Sequence, residues 1–293
     1  MKIKVYRQNI IDEEFMLEKV EGKFLQEYTE YDKNGNVTLE VACFPNGNVE
    51  QKISRKYDEK NNLIKETITD QDGEMLEHKS WAYDEDGKVT EEKQYYIDGS
   101  YDNTTNRYNA EGLIIERVTE DDEGEKGARE EAVYENGKLI KHVIYDEDGS
   151  VDSSEENTFD EKGHLIQRIE KNMEGEVEKL EITYDEAGRI DREIRYNNLG
   201  KITERNTYTY GENNLPSEIH EETTAKNNRA RITYDGKNHV ILHEVFDVND
   251  NLINRVERNY LDNGYIKDSE IMISMPERGV QHHYRLTYEY SDE

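Results

Sequence analysis

Tyr184-Asp185-Glu186-Ala187-Gly188-Arg189-Ile190 decides the fold, because the same figure returns along most of the chain. An aromatic residue ahead of a polar turn stands at Tyr31, Tyr57, Tyr83, Tyr108, Tyr134, Phe159, Tyr184, Tyr210, Tyr234 and Tyr260, at intervals of 24 to 26 residues. Self-similarity at a fixed period marks a tandem array. A second turn falls midway through each unit, at Gly47, Gly73, Gly99, Gly124, Gly149, Gly175 and Gly200. Glycine, asparagine and aspartate at such points supply the positive φ angles of tight hairpins. Each repeat therefore reads strand, turn, strand, turn, and the close spacing of turns leaves little room for a helix.

The strands carry an aliphatic residue two positions after the first glycine: Val37, Val89, Ile114, Leu139, Leu165 and Ile190. Four positions on, another follows at Val41, Val118, Val143, Ile169 and Ile194. Even spacing predicts one apolar face, turned inward, with Thr, Glu, Lys and Arg on the other. The fold expected is all-β: tandem ~25-residue repeats in a long coiled antiparallel meander of about twenty strands, making a curved or spiral sheet. Residues 28–264 hold about ten repeats, and 1–27 and 265–293, with Phe15, Leu17, Phe24, Leu25, Tyr284, Leu286, Tyr288 and Tyr290, are expected to cap the array.

Only 33% of the 293 residues are hydrophobic, 36% are charged, and the formal net charge is -30. Those figures describe a disordered chain, but 21 tyrosines spaced among valines and isoleucines do not. The charge belongs to the surface of a folded β protein. No apolar run is long enough for a signal peptide core or a membrane span, and the single Cys43 excludes an intramolecular disulfide. These features predict a cytoplasmic protein. Its acidity disfavours nucleic acid and anionic membranes and favours a basic protein partner.

The Tyr-Asp-x-x-Gly-x-Leu figure resembles the YD repeat of bacterial Rhs proteins and animal teneurins across roughly residues 28 to 264. That resemblance implies a spiralling β wall, which in long family members closes into a shell around a toxin. The chain is far shorter than those proteins and shows neither a toxin segment nor a self-cleaving core motif. Tyr134-Glu135-Asn136-Gly137-Lys138-Leu139 is also similar to the repeats of MORN-type bacterial antitoxins. Neither resemblance implies catalysis or a cofactor.

The residues themselves show no nucleophile elbow, P-loop or dinucleotide fingerprint, so no enzyme and no cofactor are expected. The turns Asp70-Gln71-Asp72-Gly73, Asp84-Glu85-Asp86-Gly87 and Asp146-Glu147-Asp148-Gly149 have calcium-loop residues. They lack the twelfth-position glutamate of a calcium loop and read as hairpin turns. His239 with His243, and the adjacent His282 and His283, read as strand residues rather than zinc ligands. Cys43, in line with Val37, Leu39 and Val41, is expected to pack.

Charge placement is the most informative feature. From Asp146 to Glu161 there are eight acids and no base, and a second acidic run precedes it. Glu120, Asp121, Asp122, Glu123, Asp146, Asp148, Glu155, Glu156, Asp160 and Glu161 read either as a solvated face that keeps a long β protein soluble and discourages edge pairing or as the partner-binding residues of one electronegative surface. The leading expectation is a bacterial immunity or antitoxin protein that occludes a basic toxin, steered by charge. A structural shell related to Rhs walls is the second reading. A carbohydrate- or cell-surface-binding module, using Tyr95, Tyr96 and Tyr101 as stacking platforms, is the third.

Overall fold

The computed structural model describes residues 1–10, 22–275 and 279–292. Among them lie 22 antiparallel strands and no helix, from β1 (Lys2–Asn9) to β22 (Val280–Ser291). Each hydrogen-bonds the next, and β1 pairs with both β2 (Lys23–Tyr31) and β22, so the ladder returns on itself. The sheet is a closed barrel. At about 4.8 Å per strand its perimeter is roughly 100 Å. The expected open spiral is corrected at this point: residues 1–27 and 265–293, expected as caps, contribute β1, part of β2, β21 (Ile266–Met275) and β22, which form the seam. Closure removes both sheet edges, and with them the need for caps. Phe15 and Leu17 lie outside the described residues.

The turns follow one recipe at both ends. After most aromatics, as at Asp185, the next residue's N–H donates to the carbonyl four residues on, here Arg189 O, at 2.8 Å. The Asp185 Oδ1 accepts the Ala187 and Arg189 N–H groups, both at 2.9 Å. Gly188, at φ 80, closes the turn in a conformation that L side chains rarely adopt. The turns that follow the aromatics form one end of the barrel, the tyrosine end; the turns at Gly47, Gly73 and their equivalents form the other, the mid-repeat end.

Opposed residues in a ladder share a face, so registers followed round the ring sort the side chains into two walls. From Tyr57 to Tyr290, the residue one before each closing aromatic is exposed, as at Lys56, Ala82, Thr183 and Thr209. The residue two before it is half-buried or buried, as at Arg55, Trp81, Ile182 and Tyr208. Side chains converge on a concave wall and splay on a convex one, so the second set faces the lumen.

The single aliphatic stripe is not observed. Val37 lies opposite Tyr31 and Leu39 opposite Glu30, leaving Thr38 as an extra bulge residue. Ile190 and Ile194, opposite Tyr184 and Glu181, are separated by the same device. One extra residue reverses the alternation, so Val37 and Ile190 face the lumen while Val41 and Ile194 face outward. Core residues accordingly occur on both walls: Val5, Leu180, Ile182 and Ile271 inside, Val41, Cys43 and Val143 outside, with Val41 only 2% exposed. Cys43 packs, and burial pushes its thiol pKa up.

The barrel is hollow. It exposes 18926 Å², where a compact protein of 34.5 kDa exposes about 13,000 Å².

Candidate partner-binding site

The two ends differ in construction. At the tyrosine end, hydroxyls donate back to the carbonyl that opens the preceding strand: Tyr57 to Val37 O at 2.8 Å, Tyr83 to Leu63 at 2.7 Å, Tyr184 to Leu165 at 2.8 Å, Tyr210 to Ile190 at 2.7 Å. The residue after each turn covers the next ring, with His164 stacked on Tyr184 and His239 on Tyr260, both at 4.6 Å, and Arg189 over Tyr210 at 4.3 Å. Neighbouring turns are also tied together, by Lys60 Nζ to Glu85 O and Lys237 Nζ to Asp262 O, both 3.1 Å, and Arg189 Nη1 to Asn214 Oδ1, 2.9 Å. Within this rim the aromatic hydroxyls and the side chains after each turn bond to the rim itself, while tip residues such as Glu85 and Glu186 stay exposed. The rim is a structural hoop.

The lumen wall has two arcs. On β4 (Val49–Tyr57), β9 (Ile114–Glu120) and β13 (Leu165–Lys171), an inward-facing arginine meets carboxylates of nearby strands. Arg55 binds Glu40 and, at 2.6 Å, Glu66; Arg117 lies 3.6 Å from both Glu92 and Glu130; Arg168 lies 3.5 Å from Glu155. His142 joins Glu130 at 3.2 Å. From β14 (Val177–Tyr184) to the seam the inner wall mixes apolar residues, among them Leu180, Ile182, Tyr208, Ile219, Ile232 and Ile271, with the charged Glu193, Arg195, Glu204, Glu221 and Arg258. The outer wall carries Lys141, Glu181, Arg205, Arg231 and Arg285. Among the described residues neither wall presents the unbroken apolar band that a lipid-spanning barrel needs.

The expected acidic surface is divided by the fold. Glu120 ends β9, and Asp121, Asp122 and Glu123 form the next turn, at the mid-repeat end. Asp146 and Asp148 occupy the turn between β11 (Lys138–Tyr145) and β12 (Val151–Phe159), one turn further round the same rim. Glu155 and Glu156 lie within β12 on opposite walls: Glu155 inside, against Arg168, and Glu156 outside, 3.8 Å from Lys141. Asp160 and Glu161 belong to the tyrosine end, where Asp160 is held by the His164 backbone N–H at 2.8 Å and the ring at 3.1 Å. The His164 backbone N–H is the main reason its pKa lies below the ordinary aspartate value. Six of the ten residues are thus brought together and four are not. The correction has a simple cause: a strand of nine residues carries the chain from one end of the barrel to the other.

Around the six, the wall is dented. In β10 (Lys126–Glu135), Lys126 pairs with Glu120 and Arg129 with Val118, so Gly127 and Ala128 bulge against Thr119. A hollow of about 500 Å³ lined by Ala128, Ile144, Tyr145, Asp146, Asp148 and Asp152 lies beside the turn. Another of about 600 Å³ is lined by Val118, Lys126, Arg129, Glu131, Tyr145 and Glu147. Their walls are held in place: Glu116, kept below the ordinary glutamate value by Arg107 and Arg129, anchors the outer side, and the Glu131 hydrogen bond raises the Tyr145 phenol. Ser150 takes the largest part in lowering the Asp148 pKa, so this turn is anionic at neutral pH. Nothing in the sequence pattern signals the Gly127 bulge except the glycine itself.

The remaining candidates have partners within the chain, although Tyr96 stays 42% exposed. Tyr95 stacks on His78 at 4.7 Å and lies 5.5 Å from Tyr101, and the Tyr96 hydroxyl donates to Asp102 at 2.5 Å. His283 binds Glu270 at 2.9 Å.

No family model matches the chain, and no curated protein does. Among solved structures, the TcdB2-TccC3-TEV crystal structure aligns at 13% identity and a TM-score of 0.29, over 90% of this chain but 18% of that one. A porin-like protein from Bacteroides uniformis aligns at 10% identity and a TM-score of 0.37, over 81% and 95%. A porin-like protein from Bacteroides vulgatus gives 12% and 0.27, over 99% and 98%. At such scores these likenesses decide neither family nor function. The chain spans less than a fifth of the toxin chain it matches.

Proposed function

We propose that the chain is a non-enzymatic protein-binding scaffold whose mid-repeat rim receives a basic partner. One observation carries this reading. The turns 121–125 and 146–150 hold seven carboxylates and no base, and they are adjacent on the same rim. Charges of one sign at neighbouring turns add their fields, which accelerates encounter with a cationic surface by about ten- to a thousand-fold. The resemblance to YD and MORN-type repeats supports placing this scaffold among bacterial immunity proteins that occlude a toxin in the cytoplasm. The charged outer wall is suited to water rather than lipid.

The experiment uses a twenty-residue oligolysine as the probe. Asp121→Asn, Asp122→Asn, Glu123→Gln, Asp146→Asn and Asp148→Asn together are expected to slow association at least tenfold at low salt. Salt at 1 M, where screening acts over about 3 Å, is expected to abolish the difference. An on-rate indifferent to both sends the reading down. A second reading, a shell that encloses its partner, is favoured by closure of the sheet around a hollow lumen. It predicts that binding protects lumen residues such as Trp81 from quenchers while leaving the rim accessible.

A further inference from the structure

The mid-repeat rim has a second chemical character. Ile97 is 82% exposed, Met173 69%, Leu199 74% and Val248 70%, and all four sit at the tips of mid-repeat turns. The tips at the tyrosine end provide an internal comparison: the residues there that match Ile97 and Met173 include Lys33, Glu59, Glu85, Glu161 and Glu186, and those that match Leu199 include Asn34, Asp86 and Ala187. A hairpin tip needs positive φ, not an apolar side chain, and large exposed aliphatics cost solubility. Leu261, at 37%, is the nearest counterpart on the other rim. The apolar tips are therefore segregated to one end, the end that carries the acidic sector.

Their order round the rim is informative. Ile97 lies on the turn after β7 (Val89–Tyr95), the acidic turns follow β9 and β11, and Met173 and Leu199 lie on the turns after β13 and β15 (Ile190–Tyr196). Consecutive turns on one rim are two strands apart, roughly 10 Å. The arc from Ile97 to Leu199 is therefore about 40 Å of rim, apolar at both flanks and anionic in the middle. A surface of this kind complements an apolar stripe interrupted by cations. Lipid is disfavoured, because the same arc repels anionic headgroups.

We propose that this arc is a docking surface for a cationic amphipathic polypeptide segment, with Ile97, Met173 and Leu199 taking its apolar side chains and the two acidic turns its cations. The inference rests on the basic-partner reading above and adds the anchors that charge alone does not supply. Apolar contact at a few positions gives residence, whereas surface charge gives approach.

The test uses two thirty-residue probes, about 45 Å long as helices: oligolysine, and a lysine–leucine peptide with leucines near both ends and lysines between them on one helical face. It is run on the wild type, on the amide variant above, and on Ile97→Ser/Met173→Ser/Leu199→Ser. The amphipathic peptide is expected to bind the wild type at least about tenfold more tightly than oligolysine. The serine variant is expected to lose that tenfold and keep its oligolysine affinity. Equal affinity of the two peptides for the wild type, or an amphipathic preference that survives in the serine variant, overturns the anchor proposal alone. Failure of oligolysine to respond to the amide variant overturns the basic-partner reading instead. Neutral phosphatidylcholine vesicles, or a concentration-dependent dimer, bound through these tips in the wild type and lost in the serine variant, would assign the arc to lipid or to a second copy and overturn the proposal. Far-ultraviolet circular dichroism confirms that each variant is folded.

Discussion

Phe159 is a gap in the tyrosine hoop that lacks the hydroxyl itself, and filling it measures what each link contributes. Tyr184, the next aromatic, donates its hydroxyl to the Leu165 carbonyl at 2.8 Å, and Tyr108 donates to Val89 at the same distance. Phe159 stands at the equivalent place relative to Leu139 and has no hydroxyl to give. Its ring is already seated, with Lys138 Nζ 5.0 Å from the centroid and donating to Gly163 O at 2.6 Å. Phe159→Tyr therefore adds one hydrogen bond to a pre-formed site, which contributes about 1 kcal/mol net. The converse change, Tyr184→Phe, removes one and is expected to cost about the same. At an unfolding entropy of about 2.1 cal/mol/K per residue, 293 residues give roughly 0.6 kcal/mol/K, so each change moves Tm by about 1.6 °C. Urea titration gives the free energies directly, with unchanged slope. A Phe159→Tyr variant no more stable than wild type, beside a Tyr184→Phe variant that loses about 1 kcal/mol, would refute the view that the hoop repeats one stabilising bond.

Other outcomes follow from the wall assignment, the seam and the turn aspartates. Ile182→Asp places a carboxylate at a buried lumen position directly opposite Glu193 and is expected to cost about 3 kcal/mol or more; Thr209→Lys, on the exposed outer wall, is expected to stay within about 0.5 kcal/mol, and the reverse order in urea melts would invert the two walls. Truncation after Met275 removes β22 and leaves β1 and β21 as open edges, so size-exclusion chromatography should show larger assemblies than the full-length chain forms. Asp58 and Asp185 are held below the ordinary aspartate value, chiefly by the Asn62 and Arg189 backbone N–H groups. Their folded values are depressed, so the stability they contribute is present above about pH 4 and is lost as pH falls through the lower folded values. A thermal melt series from pH 6 to pH 2 should be blunted in its acid limb by Asp185→Asn.

The period and the strand-turn alternation were fully legible, because the Tyr-Asp-x-x-Gly figure states the turn chemistry outright. Closure was not, since it depends on Lys2 meeting Ser291 and Val5 meeting Tyr288, and no local pattern records whether two distant strands meet. The face assignment failed at Thr38 and its equivalents. Val37 and Val41 are spaced evenly, and a single bulge residue between them moves one to the other wall. The acidic segment was legible as composition but not as a surface, because the run from Asp146 to Glu161 traverses β12 from rim to rim. The apolar tips Ile97, Met173 and Leu199 were printed in the sequence beside their glycines, but became informative only once the fold placed them on one rim.

The claim on which the rest depends is that β1 and β22 meet. Arg7 and Leu286 are directly opposed across that seam, and opposed residues in antiparallel strands have Cα atoms about 4.5–5.5 Å apart, within disulfide range. With Cys43→Ser as background, Arg7→Cys and Leu286→Cys should oxidise to a monomeric, faster-migrating species on a non-reducing gel, two mass units lighter and reversed by reductant. Persistence of both free thiols in the folded monomer, or cross-links formed between molecules alone, would show that the ends do not meet and that the sheet is open.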